Sequence, residues 1–323
     1  MLSGLLFALA AGLMWGLVFV TPLLLPDYPA AWLTAGRYLA FGLIALPLAL
    51  MDRAELARLT RADWWQAVRL SAIGNFLYYL TLSAAIQRAG GPLPTMIIGT
   101  LPVVIAIASN RRNAARDGQY PWGRLAPALL LIGAGIACVN AVERAALADG
   151  ELGRYLQGAL LAGVALLCWT WYPIRNADWL REHAGRSPRV WATAQGLVTL
   201  PMALLGFAVL GGLQAAGLDL LPPGFAAPLG PRPWVYLGLM LAVGLFASWL
   251  GTLCWNEASQ RLPTTLVGQL IVFETLAALA YALMLRGGRP PLMTLLGVAL
   301  LVGGVLWALR VKPQRPAGGA ATA

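Results

Sequence analysis

Two ionisable side chains stand where an apolar chain has least reason to carry them. Arg37 lies inside an apolar run at 31–51, and Glu274 lies inside another at 263–285. A charge within a segment of membrane-spanning length faces the interior of a bundle, where it meets another group or a solute. At about 1.5 Å per helical residue, Arg37 is roughly 9 Å from one end of its run and Glu274 roughly 17 Å from the opposite end of its own. In a hydrocarbon core of about 30 Å the two depths differ by about 4 Å. Two readings follow. One is a structural ion pair between helices, which offsets part of the cost of burying either charge. The other is a site in which Arg37 holds a substrate carboxylate while Glu274 takes a substrate amine or a coupling proton. Glu257 has a simpler account, because Arg261 follows it at i+4 near a run end.

Uncharged groups supply a second set of candidates. Trp15 and Phe19 are one helical turn apart, as are Asn75 and Tyr79, while Trp169 and Tyr172 share a face at i,i+3. Aromatic walls with a few polar groups suit an amphipathic solute or an amino acid with a bulky side chain. Rings of the same kind also form belts at membrane interfaces. Trp32, Trp64, Trp65, Trp122 and Trp234 lie near run ends and are assigned to such a belt, whereas Trp15, Tyr79, Trp169 and Trp249 lie deeper. Thr100, Gln195 and Gln269, with Asn75, are polar residues inside runs, suited to hydrogen bonds between helices or to a cavity wall. Pro102 removes a backbone donor within its run. Gly12-x-x-x-Gly16 permits close helix contact, and a homodimer is one use of it.

Other chemistries lack their residues. Cys138, Cys168 and Cys254 all fall in apolar runs and His183 is the one histidine, so neither a disulfide framework nor a metal-ligand spacing occurs. With no paired acidic motif and no Gly-rich phosphate loop ending in Lys, the sequence argues against an enzyme on lipid-linked substrates and against an ATP-driven pump. No cofactor is expected.

The elements that position these residues follow from composition. Of 323 residues, 59% are hydrophobic and 11% charged, far from the soluble average of about a quarter charged. Ten runs of spanning length fall at 3–25, 31–51, 64–87, 92–109, 125–141, 155–174, 190–212, 234–256, 263–285 and 292–310. The first has no basic residue before it and is expected to stay as a helix. With both termini on the cytoplasmic side, sixteen of the 23 basic residues fall inside, six outside, and Arg37 within a span. That bias meets the positive-inside rule. It also accounts for the net charge of +10 without nucleic acid. The longest outer connection, 213–233, is rich in Pro and Gly, an ordered lid or a loose loop. The tail at 311–323 is expected to be disordered and cytoplasmic.

Self-comparison brings out an internal repeat. Leu93-Pro94-Thr95-x-x-x-Gly99 recurs as Leu262-Pro263-Thr264-x-x-x-Gly268, Trp15 maps to Trp169, Leu46-Pro47 to Leu200-Pro201, Gln87-Arg88 to Gln260-Arg261, and 130–133 to 300–303. Five matches in one order divide the chain into a first repeat at 1–141, a linker at 142–154 and a second repeat at 155–310. Each half holds five spans, so the second enters the membrane with opposite orientation. The expected fold is an all-α integral membrane protein of ten transmembrane helices in two inverted five-helix repeats, with a site near the midplane between them.

The chain resembles the drug/metabolite transporter superfamily, specifically the ten-helix EamA-type exporters, over residues 5–310. The resemblance rests on Ala11-Gly12-Leu13-Met14-Trp15-Gly16, on Gly36-Arg37-Tyr38, on 80–87 followed by 94–102, and on 251–261 and 297–306. It implies a central cavity with alternating access in the cell (inner) membrane and export of amino acids, related metabolites or toxic compounds. Its expected partners are a small-molecule substrate and the lipid bilayer.

Overall fold

The computed structural model describes residues 2–112, 121–145, 147, 150–218, 221–262, 270–286, 290–311 and 314. Among them every extended element is helical. Helices α1 (Leu2–Leu24) and α2 (Ala30–Met51) are followed by a short turn, α3 (Arg53–Leu56). Next, α4 (Arg61–Leu70), a π-helical stretch (Ser71–Leu77) and α5 (Tyr78–Ala89) run without a break. A capping box between Thr60 and Asp63 starts this unit, which satisfies otherwise orphaned N–H groups. Gly90, at φ 75°, ends it in a conformation that glycine adopts at no steric cost. Then come α6 (Pro92–Ile98), α7 (Leu101–Arg112), α8 (Trp122–Ala145), α9 (Leu152–Glu182) and α10 (Pro188–Ala215). The second π-helical stretch (Val243–Leu250) joins α11 (Pro233–Ala242) to α12 (Gly251–Arg261), and α13 (Val272–Arg286) and α14 (Leu292–Arg310) complete the order. Proline opens α6, α10 and α11, where its missing donor costs nothing.

Six of these helical units are long and apolar enough to cross a membrane, and those at Pro92–Ile105, Val272–Leu285 and Leu292–Ala308 are apolar but shorter. The expected span at 64–87 lies within the unbroken 61–89 unit, and that at 92–109 divides at Gly99 and Thr100. Residues 263–269, with Gln269 and most of the second Leu-Pro-Thr motif, lie outside the described residues, as do most of the tail and part of the connection at 213–233.

The most extensive contacts pair α8 with α14, α2 with α10, α5 with α9, and α1 with both α13 and α12. Glycines let these backbones approach, as is usual where lipid removes most of the hydrophobic gain from helix association. A Cβ on Gly135 would meet the Gly297 carbonyl and one on Gly297 would meet that of Gly135. Gly12 and Gly16 are covered by Phe273, Glu274, Ala277 and Ala278 of α13, so this small-residue stripe is filled within the chain and is not a free dimerisation face. Large apolar residues such as Leu6, Leu13, Leu50, Leu160 and Leu205 point outward, a surface that suits hydrocarbon and not water.

The described part of 213–233 is an ordered cover. Tyr28 stacks on Tyr236 and meets Phe225 edge-on, while the Trp32 indole donates to the Pro228 carbonyl at 2.9 Å. Arg232 donates to Asp27, which holds that carboxyl below its ordinary value. Trp32 is therefore 3% exposed, not a belt residue: the loop, whose fold the run boundaries do not encode, closes over it. Trp65, Trp122 and Trp234 are exposed as a belt requires.

Candidate functional site

Arg37 and Glu274 are both buried, 4% and 1% exposed, but they form no ion pair. Arg37 Nε donates to Ser248 Oγ at 3.0 Å and Nη2 to the Ala247 carbonyl at 3.1 Å. Both acceptors belong to the second π-helical stretch, where Ser248 itself donates to Val243 five residues back. A π-turn displaces carbonyls from the regular i→i−4 ladder, and Arg37 takes one of them. Its guanidinium also lies 4.5 Å from the Tyr79 ring centroid and 5.0 Å from that of Tyr38.

Glu274 has a separate set of partners. The Trp169 indole donates to Oε2 at 2.9 Å and the Tyr78 hydroxyl to Oε1 at 3.2 Å. Two neutral donors offset part of the desolvation of a buried carboxylate. The two charges interact electrostatically across this cluster without touching.

An aromatic column backs the carboxylate. Tyr78 stacks on Trp169 at 4.5 Å and Trp169 on Tyr172 at 5.1 Å, within 15° and 8° of parallel. Trp15 closes one edge, 4.9 Å from Trp169 and 5.1 Å from Trp255. The Tyr172 hydroxyl donates to Gln195 Oε1 at 2.8 Å, and Gln195 donates to Asn176, which donates to Asn256. Phe19 is buried in the surrounding core. Around Arg37, Arg37 Nη1 and the hydroxyls of Tyr38 and Tyr79 are buried with no hydrogen-bond partner among the described residues, as is Nδ2 of Asn75 on the first π-helical stretch. Such atoms are rare and mark places where a ligand or water is the missing partner.

The structure thus gathers Trp15, Arg37, Tyr79, Trp169, Tyr172, Gln195 and Glu274 into one connected interior, with Asn75 on the adjoining π-turn. Thr100 bonds locally, its hydroxyl donating to the Ile97 carbonyl at the break between α6 and α7. Trp249 turns to Thr193 of α10. Tyr78, Tyr38, Ser248, Asn176 and Asn256 were not singled out from sequence. For Tyr78 and Tyr38 the signal was at hand, each being next to a chosen residue; for Ser248 nothing in one sequence announces a π-turn.

Ordered groups lie at both ends of this interior. On one face the cover described above lies over Tyr28 and Trp32, beside a cavity of about 700 Å³ that Arg88 and Arg154 help to line. On the other, arginine-rich face, Trp179 stacks on Trp191 at 3.5 Å and donates to Asp63 at 2.8 Å, while His183 Nε2 lies 3.4 Å from the same carboxylate. Burial pushes the Asp63 carboxyl up, but the Thr60 amide and hydroxyl, the Trp179 indole and His183 outweigh it and hold the group below its ordinary value.

Residues 2–111 match the EamA-like transporter family. Over 98% of both lengths the chain is 54% identical to the inner membrane protein YtfF of Escherichia coli (strain K12). The chain belongs to the EamA-like transporter family. A protein of known crystal structure shares the fold, with a TM-score of 0.64 over 95% of this chain and 97% of the other at 17% identity. In this EamA-like protein, the matched segment contains Arg37, Tyr78 and Tyr79, but Glu274 and Ser248 lie beyond it.

Proposed function

We propose that this protein is a secondary exporter of amino acids or related zwitterionic metabolites, working by alternating access around Arg37 and Glu274. One observation supports the reading: opposite charges share one buried interior, each bonded by neutral partners and with no ion pair between them. Arg37 keeps an unbonded N–H, and a carboxylate that accepts two bonds retains further acceptor capacity. A solute with a carboxylate and an amine fits that pair.

Ten spans in two inverted halves, 1–141 and 155–310, are part of the proposal. In support, a π-turn interrupts a helical unit in each half, at Ser71–Leu77 and Val243–Leu250. The contacts of α1 with α12 and of α9 with α5 are the exchange that such a repeat requires. The charge bias supports cytoplasmic termini and the name of YtfF supports an inner-membrane location.

The experiment is counterflow in proteoliposomes with labelled tryptophan, phenylalanine, threonine and a small neutral amino acid, with and without a pH gradient. Exchange by the parent chain, lost in Arg37→Gln and Glu274→Gln variants that remain folded, is the expected result. The aromatic column favours a second reading, export of flat organic cations stacked beside Glu274. Exchange of such a cation, insensitive to Arg37→Gln and with no amino acid carried, would replace the first reading by the second.

A further inference from the structure

We propose that the cleft between the first turn of α8 and the last turn of α14 holds the phosphate of an anionic phospholipid headgroup. The inference requires only that the protein sits in a bilayer, whatever it transports. The cleft has a volume of about 510 Å³ and is lined by Gly123, Arg124, Pro127, Trp307, Arg310 and Val311. Among the described residues it contains two cations and no acid. Arg124 and Arg310 are exposed, and no ion pair joins either to a carboxylate among the described residues. By contrast Arg175, Arg189, Arg232 and Arg261 each lie beside an Asp or Glu. Two guanidinium groups facing one opening match the paired oxygens of a phosphodiester, to which arginine donates in bidentate fashion.

The surroundings select a lipid over a free anion. Trp122 and Trp307, 51% and 49% exposed, lie at this level, and below them the helix pair presents Leu130 and Leu306, 75% and 50% exposed. A cationic head site thus continues into an apolar surface on which acyl chains can lie, at the interface where indoles settle. Basic pockets between helices at a membrane surface bind acidic headgroups. Gly123 leaves open space on the α8 wall, and the close approach at Gly135 and Gly297 fixes the two walls relative to each other.

The test uses the full chain in detergent and native mass spectrometry, with short-chain phosphatidylglycerol titrated against phosphatidylcholine of the same chain length. The parent protein is expected to retain one phosphatidylglycerol with at least about tenfold preference. In Arg124→Gln/Arg310→Gln that preference falls to near one, whereas the control Arg88→Gln/Arg154→Gln on the opposite face keeps it. Should the first double variant fold poorly, Arg124→Lys/Arg310→Lys is expected to keep the charge attraction and lose part of the preference. Absence of a headgroup preference in the parent protein overturns the proposal, as does equal loss in the control. Displacement of the lipid by equimolar inorganic phosphate overturns the lipid source and leaves a free-phosphate site.

Discussion

Tyr78 and Tyr79, adjacent in sequence, serve opposite charges. The Tyr78 hydroxyl donates to Glu274 at 3.2 Å, while the Tyr79 ring lies 4.5 Å beneath the Arg37 guanidinium. Successive helical residues point about 100° apart, so one step of the chain places a hydroxyl on the acid and a ring face on the base. Tyr78→Phe removes a bond to a charged group, about 1.5–3 kcal/mol, and is expected to raise the half-saturation concentration for transport by at least about tenfold. Tyr79→Phe keeps the ring and is expected to change it by less than about threefold. Equal effects in counterflow titrations would show that the division of labour is wrong.

Arg37→Lys is expected to reduce transport strongly despite the retained charge. An ammonium on a shorter reach does not reproduce the planar fork that bonds Ser248 and the Ala247 carbonyl together. Ser248→Ala, which removes one acceptor and leaves the carbonyl, is expected to be milder, at the lower end of the about 1.5–3 kcal/mol of a bond to a charged group. Initial rates over a substrate series check the order.

Glu274→Gln separates the two views of the buried charges. Were Arg37 and Glu274 an ion pair, the substitution would strand a buried cation at about 3–5 kcal/mol. Since each charge has its own neutral partners, the Gln variant is expected to melt within a few degrees of the parent while losing recognition of an amine-bearing solute. A large drop in the melting temperature would contradict the separation.

Gly16→Val is expected to destabilise by about 1–3 kcal/mol, because its added atoms meet Ala277 and the Ala278 backbone. The apparent mass in detergent is expected to stay that of the parent chain, since the stripe is already occupied by α13. A change of oligomeric state without loss of thermal stability would count against that packing.

Asp63 gives the pH dependence a sign. Its carboxyl is held below the ordinary value of 3.8, so the folded state binds the proton less readily than the unfolded one. The associated stability is complete above the unfolded value and is lost as pH falls through the folded one. Melting temperatures measured from pH 6 to pH 3 are expected to fall less steeply for Asp63→Asn than for the parent. An identical slope would mean that Asp63 contributes nothing to the acid response.

Much of this arrangement was legible before any coordinates. Span arithmetic put Arg37 and Glu274 at similar depth, and both are interior; Trp15 and Trp169, chosen as deep rings, lie 4.9 Å apart. The ion pair failed for a local reason. A π-turn offers Arg37 a carbonyl and a hydroxyl, and the extra residue that creates it has no mark in a single sequence. Trp32 failed for a long-range one, because a run boundary says where a helix ends and not what a distant loop will lay over it. Thr100 bonds to its own backbone, a choice that spacing between helices cannot foresee.

The π-turns have a mechanical consequence. A helix with one surplus residue carries slack that can pass along it by exchange of one hydrogen bond at a time, with no need to melt a whole turn. Each residue that changes register in this way turns by about 100° and moves by about 1.5 Å along the axis. Asn75 and Ser248 both sit in such stretches. The acceptor set that grips Arg37 therefore rests on a stretch wound one residue wider than its flanks, so the stagger between α11 and α12 decides which carbonyl and hydroxyl reach the guanidinium.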